Sequence, residues 1–283
     1  MEKNIKLKLN TKHPFHLVNA SPWPFYIAFT VLNLALSLVW FFHYYQNGGK
    51  LLLNSILLTA IVMIAWWRDV IIEGTFEGQH TQAVQKGLRI GIALFILSEA
   101  MFFFGFFWGF FHSSLSPAIQ IGGIWPPKGI TPMSYLGIPF LNTIILLTSG
   151  VTVTWFHYLM TSTVLNNNPV NKLNVKNEGI LSLGLTVLLG IIFLGFQAYE
   201  YIHATFTISD GIYGSTFYLL TGFHGFHVIV GTLFLLVCLV RYINNHFTER
   251  HHIGLEGAIW YWHFVDVVWL FLYISIYWWG DIR

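Results

Sequence analysis

No Asp, Glu, Lys or Arg occurs between Lys12 and Lys50, and none between Lys50 and Arg68. Uncharged runs of this length leave a chain few choices. A helix crosses the hydrocarbon core of a bilayer in roughly 20 apolar residues, and a backbone immersed in lipid must satisfy its own hydrogen bonds. The same habit continues along all 283 residues, of which 9% are charged and 55% hydrophobic. Ordinary soluble domains carry about 25% charged residues. Such a composition excludes a soluble enzyme and a disordered chain. The net charge of +2 gives no basis for a nucleic-acid partner. A single cysteine, Cys238, excludes an internal disulfide framework and any multi-cysteine metal or iron–sulfur site.

Seven spans emerge, an all-α polytopic membrane protein. They run from about Phe25 to Tyr45, Leu51 to Ile72, Lys86 to His112, Pro139 to Leu165, Gly179 to His203, Gly214 to Tyr242 and Glu256 to Gly280. Ser21-Pro-Trp-Pro24 opens the first, since proline suits a first helical turn. Asn47-Gly-Gly49 joins the first two tightly, and Asn166-Asn-Asn-Pro169 breaks the chain after the fourth. Ser113 to Gly137 forms a long loop stiffened by Trp125-Pro-Pro127. No repeat of fixed period is present, which argues against an inverted-repeat transporter.

Basic residues set the orientation. With the N-terminus inside, the inner segments hold Lys3, Lys6, Lys8, Lys12, Arg68, Lys86, Arg89, Lys172, Lys176, Arg241 and Arg250, 11 of the 14 Lys and Arg. Lys50, Lys128 and Arg283 remain outside, where seven spans also place the C-terminus. Trp23, Tyr44, Tyr45, Trp66, Trp67, Trp278 and Trp279 crowd the span ends as interfacial anchors. The first apolar run is too long for a cleavable signal peptide and stays as a span.

Polar residues inside the spans are the candidates for function. Glu99 lies about 20 Å along the third span at 1.5 Å per residue, near mid-membrane. A bare carboxylate is costly there, so the group is protonated, hydrogen-bonded or turned to water or headgroups, and it reads as a proton-handling or lipid site. Glu200, near the end of the fifth span, reads as an interfacial acid in water; a cluster with His203 and Asp210 is the alternative. His263 and Asp266 share a face of the seventh and read as a satisfied interhelical hydrogen-bond network. Thirteen histidines raise haem ligation, for which His157 and His263 stand at comparable depth. His224 and His227, on one face of the sixth span, have no evident opposite number. Packed, hydrogen-bonded histidines are the better reading, and no metal site is expected. Gly87/Gly91 and Gly105/Gly109 are spaced for close helix–helix approach, and the Phe-rich run from Phe102 to Phe111 for packing on helices or acyl chains.

Longer strings carry a resemblance. Trp66-Trp-Arg-Asp-Val70, His80-Thr81, Val84-Gln-Lys-Gly87, Ser98-Glu99 and His112-Ser-Ser-Leu115 appear in order. Trp125-Pro-Pro127, Phe206-Thr-Ile-Ser-Asp210, Gly214-Ser-Thr-Phe217, Thr221-Gly-Phe-His-Gly-Phe-His227 and Trp260-Tyr-Trp-His-Phe-Val-Asp-Val-Val-Trp269 follow, running on to Ser275-Ile-Tyr-Trp-Trp279. Together with Ser21-Pro-Trp-Pro24, these strings resemble subunit III of the haem–copper cytochrome c oxidases, the mitochondrial form above all, from about His13 to Gly280.

The resemblance implies two bundles, helices one and two (23–72) and helices three to seven (86–283), around a V-shaped cleft holding phospholipids. Residues 1–22 become an inner-side segment and 73–85 an inner loop. It implies no catalytic residue and no redox centre in this chain, with haem and copper in partner subunits I and II and further accessory subunits in the complex. The complex would reduce oxygen with electrons from cytochrome c and pump protons across the mitochondrial inner membrane. Glu99 matches the family's carbodiimide-reactive acid. Trp67, Glu73, His80 and Arg241 match lipid-headgroup residues, and His13 and His16 match inner-surface histidines that would collect protons. Ile72 departs from the family, many members having arginine there. A quinol oxidase in a bacterial plasma membrane, a b-type cytochrome using His157 and His263, and a proton-coupled transporter with Glu99 as carrier acid are the alternatives.

Overall fold

The computed structural model describes residues 13–162, 169–248 and 251–282. Seven long helices account for most of it: α1 Trp23–Phe42, α2 Gly48–Thr75, α3 Gln82–Leu115, α4 Ile138–Ser162, α5 Pro169–His203, α6 Gly211–Ile243 and α7 Ile253–Leu272. A π-helical turn, Tyr273–Trp278, continues α7 into the short α8, Trp279–Ile282. A single 3₁₀ turn, Ile119–Ile121, interrupts the long α3–α4 connection. Among the described residues there is no β-strand, only an isolated bridge between Thr248 and His251. All seven long helices have the length and apolar character to cross a membrane.

Helices α2, α3, α5 and α6 overrun the expected spans because loss of apolar character ends a span without ending a helix, whereas α1 ends at Phe42, short of the expected Tyr45. The largest difference is in α5, which begins at Pro169, not near Gly179. Its first turns carry Lys172, Lys176 and Glu178, and proline is tolerated at a helix start because its missing N–H has no intrahelical partner there. The Asn-rich stretch expected as loop is therefore helical from Pro169 onward. Asn166 to Asn168, and the lysines before His13, lie outside the described residues. The end of the seventh span is a π turn, not uniform α-helix.

The chain divides into two compact units, Met1–Leu88 and Arg89–Arg283, with the division falling within α3. In the first, α1 and α2 form a hairpin. Asn47, at φ +63°, makes the left-handed turn between them. Small polar groups hold the seam: Asn33 Nδ2 donates to Ser55 Oγ at 2.9 Å, and Thr59 Oγ1 to the Thr30 carbonyl at 3.3 Å. Ser37, Ser55 and Thr59 are buried, whereas Phe29, Leu32, Leu36, Leu53 and Leu57 are exposed. Small polar residues inside and large apolar ones outside is the arrangement that lipid, not water, favours.

In the second unit α4 packs on α5, α5 on α6, and α7 on both α6 and α4. Trp262 and Trp269, both on α7, are fully buried and donate from Nε1 to Ser149 Oγ at 2.9 Å and Thr143 Oγ1 at 3.0 Å on α4. A buried indole N–H needs such a partner. Two glycines make room for Trp262. A Cβ at Gly190 would lie 2.9 Å from its Cη2, and one at Gly231 2.9 Å from its Cε3. The close approaches are therefore not at the expected Gly-x-x-x-Gly positions. A Cβ at Gly87, Gly91, Gly105 or Gly109 would meet nothing within 4 Å among the described residues. Spacing alone marks a permissive face; the contact needs a neighbour.

Candidate functional site

In the first unit the expected residues gather where α2 ends and α3 begins. His16 Nε2 stands 3.5 Å from Glu73 Oε2, and the His16 and His80 rings meet edge to face at 6.0 Å. Gly74 makes this possible, since a Cβ there would lie 2.7 Å from His80 Cε1. Gln85 Nε2 donates to the His80 carbonyl at 3.0 Å, and Thr81 Oγ1 donates to the Pro14 carbonyl, tying the N-terminal segment down. One turn earlier, Trp23 Nε1 donates to Asp69 Oδ2 at 2.7 Å. Asp69 also accepts from Arg68 at 2.8 Å. Asn19 to Trp23 together with Asp69, Ile72, Glu73 and Glu77 line an open groove of about 280 Å³. Trp67 is exposed beside it in sequence, and His13 is exposed on the N-terminal segment. Arg241 lies in the other unit, with its guanidinium 4.4 Å over the Phe247 ring.

In the second unit Glu99 finds its partner on α6. His227 Nε2 stands 2.9 Å from Glu99 Oε2. The other ring nitrogen, Nδ1, donates to the Phe223 carbonyl one turn back at 2.6 Å. Phe103, with its ring centroid 4.9 Å away, and Tyr261, stacked at 6.2 Å, enclose the imidazole. His227 shows 8% of its side chain and Glu99 24%, so the acid keeps an opening on the surface of α3. The sequence places Glu99 in depth but gives no sign of its partner, which is 128 residues away. His224, one turn before, hydrogen-bonds through Nε2 to the Val265 carbonyl at 3.3 Å.

Two further polar groups were not foreseen in this form. Arg89 grips Glu256 with both Nε at 2.7 Å and Nη2 at 3.1 Å, the two-point geometry that makes guanidinium–carboxylate pairs directional. His252 Nε2 approaches the same carboxylate at 3.2 Å, and the His157 ring lies 6.1 Å from that of His252. Opposite charges at the starts of the third and seventh spans are the one signal of this pairing in the sequence. Glu200, expected in water, is instead 4% exposed and accepts from Tyr277 at 2.6 Å. His203 and Asp210 take no part: His203 Nδ1 bonds the Tyr199 carbonyl, and Asp210 accepts from the Thr207 N–H. Tyr277, the donor to Glu200, lies in the π turn, which 3.6-residue periodicity does not show.

His263 and Asp266 do not form the satisfied network expected of them. His263 Nδ1 is 3.8 Å from Asp266 Oδ2, beyond hydrogen-bond reach, and the buried Asp266 Oδ1 has no partner. His263 Nε2 faces Thr154 Oγ1 at 3.4 Å. Among the described residues no group of three or more His, Cys, Asp or Glu side chains is placed to hold a metal ion.

The sequence that folds into these seven apolar helices matches a known family along its length. The family model for cytochrome c oxidase subunit III matches residues 13–281. The chain belongs to the cytochrome c oxidase subunit III family. Proteins named cytochrome c oxidase subunit 3 resemble it over 269 residues, 95% of this chain. The Prototheca wickerhamii protein is 59% identical, with 98% of its own length covered. That of Chondrus crispus is 57% identical, with 95% covered, and that of Mus musculus 54%, with 98% covered. As a member of this family the chain is a multi-pass membrane subunit of the oxidase complex and works together with other subunits.

Proposed function

We propose that this chain is the oxidase subunit that sustains catalysis without performing a chemical step. In this reading it holds no redox centre, haem and copper residing in partner subunits I and II. It stabilises the complex, retains phospholipids and supports proton uptake while the complex reduces oxygen to water with electrons from cytochrome c and pumps protons. The observation that carries the reading is the Glu99–His227 pair. It joins two proton-exchanging groups at 2.9 Å halfway along a 34-residue apolar helix, with the acid partly open to its surroundings. Intramembrane acids are costly and cluster at proton or ligand paths.

The groove of the first unit is the second element. Asp69, Glu73 and Glu77 present carboxylates suited to a headgroup ammonium, with the Trp23 indole beside them. Trp67, Glu73, His80 and Arg241 are proposed to hold lipid headgroups, and of these Glu73 lines the groove itself. His13 and His16, on the N-terminal segment, are proposed to collect protons. The order of the sequence, with 11 of its 14 basic residues in the segments on one side of the alternating spans, supports an N-terminus in the matrix and a C-terminus in the intermembrane space of the mitochondrial inner membrane.

Oxygen-consumption progress curves test this reading. The complex carrying Glu99→Ala is expected to start at the wild-type rate and to lose activity after fewer turnovers. Unchanged turnover lifetime, lipid content and proton uptake would remove Glu99 from the proposal.

A further inference from the structure

Gln197 and Glu200 lie three residues apart on α5, each 4% exposed. Gln197 Nε2 donates to Glu200 Oε1 at 3.3 Å, and the Tyr277 hydroxyl donates to the same oxygen at 2.6 Å. Each of the two side chains retains one buried oxygen with no hydrogen-bond partner: Gln197 Oε1 and Glu200 Oε2. These two oxygens are the pair that a second bond between the same amide and the same carboxyl would join. A carboxylic acid and a carboxamide can close a ring of two hydrogen bonds, amide N–H to acid oxygen and acid O–H to amide oxygen. The first bond is present. The second needs a proton on Glu200, because an ionised carboxylate and an amide oxygen are both acceptors and cannot serve each other.

Among the described residues the surroundings of Glu200 offer hydrogen-bond donors but no cation. The groups facing Glu200 are Tyr201 on its own helix, Tyr218 on α6 and Tyr277 on the π turn. Tyr201 donates to Thr221 Oγ1 at 2.8 Å and Tyr218 to the Phe206 carbonyl at 2.8 Å. The nearby ionisable groups, His203 and Asp210, bond to backbone elsewhere. Among the described residues no Lys, Arg or His forms an ion pair with Glu200. A buried carboxylate without a cation is among the costliest groups a fold can hold.

We propose that Glu200 is a proton-binding site, held as the neutral acid, with its Oε2–H donated to Gln197 Oε1 and its Oε1 capped by Tyr277. The proton closes a two-bond ring within the C-terminal end of α5, and Tyr277, on the π turn that follows α7, donates to the carbonyl oxygen of that ring. The site is separate from Glu99 and does not depend on the role proposed for that residue.

Infrared spectroscopy of the whole oxidase complex tests it. A carbonyl stretch of a protonated carboxyl group, shifted in D₂O and missing in Glu200→Gln, is the expected result. Glu200→Gln supplies an N–H where the acid supplies its O–H, so this variant is also expected to keep the wild-type melting temperature. Glu200→Leu, which has neither donor nor acceptor, is expected to lower it. If no carboxylic band is lost in Glu200→Gln, Glu200 is ionised and the proposal fails. Should the variants not assemble, an experimental density map of the wild-type complex decides. Direct contact between Gln197 Oε1 and Glu200 Oε2 within hydrogen-bond distance supports the acid. A water molecule or cation between them overturns it.

Discussion

His227 gives Glu99 one ring nitrogen and keeps the other occupied. Its Nδ1 faces a carbonyl oxygen at 2.6 Å, which only accepts, so Nδ1 carries a hydrogen. The 2.9 Å contact from Nε2 to Glu99 Oε2 then holds a single proton. Either a protonated Glu99 donates to a neutral ring, or a cationic ring donates to a carboxylate. The two forms differ by a shift of that proton along one hydrogen bond, which is the least motion a proton-handling pair can require.

Replacing either partner separates structure from proton exchange. Glu99→Gln keeps a donor for Nε2 and is expected to change stability by less than about 1 kcal/mol. It removes the exchangeable proton, so the complex is expected to inactivate sooner in turnover. His227→Phe keeps the ring volume but takes away the partner of Glu99, at an expected cost of about 1–3 kcal/mol. Thermal unfolding and progress curves on both variants check this. Equal behaviour of the two in both assays would contradict it.

The Arg89–Glu256 pair is a two-point clamp, yet 39% of the Arg89 side chain is exposed. Solvent screening limits such a pair, and a coupling of about 1 kcal/mol is expected. A double-mutant cycle with Arg89→Met and Glu256→Gln measures it. A coupling indistinguishable from zero would mean that the clamp orients α3 and α7 without stabilising them.

Glycine positions along α5 are expected to respond very differently. Gly190→Leu drives atoms into Trp262 and Thr232, an overpacking expected to cost about 1–3 kcal/mol. Gly195→Leu meets open space and is expected to be neutral or better, because glycine is a poor helix former. Melting temperatures of the two variants in the assembled complex give the comparison. A larger loss at Gly195 would show that another subunit covers that face.

Gly74→Val places side-chain atoms where the His80 ring sits and is expected to push it away from His16. With His80 and Glu73 holding a headgroup, phospholipid co-purifying with the complex is expected to fall, and Glu73→Gln to lower it too. Quantitative lipid extraction is the measurement. Full retention of lipid in both variants would dissociate the groove from headgroup binding.

The seven helices were legible because length and apolarity are physical requirements of a span. Their ends were less so, as α5 shows: Lys172, Lys176 and Glu178 end the apolar run, but water also supports a helix. Glu99 was found by depth alone, since an acid in that run is costly wherever its neighbours lie. Glu200 was misplaced because its nearness to the end of α5 suggests water, while the structure buries it and sets it against Tyr277, 77 residues on in the π turn. The glycines show the same limit, with Gly190 and Gly231 in contact and Gly105 and Gly109 facing open space.

The sequence by itself determined the solvent, the number of spans and which residues would be expensive to bury, because these follow from each residue's own transfer energy. Tertiary structure alone decided who meets whom: Glu99 with His227, Arg89 with Glu256, Glu200 with Gln197 and Tyr277. The reason is geometric. A helical period says which residues share a face, but the neighbour that face meets depends on the rotation and tilt of another helix, set jointly by packing such as that of Trp262 between Gly190 and Gly231.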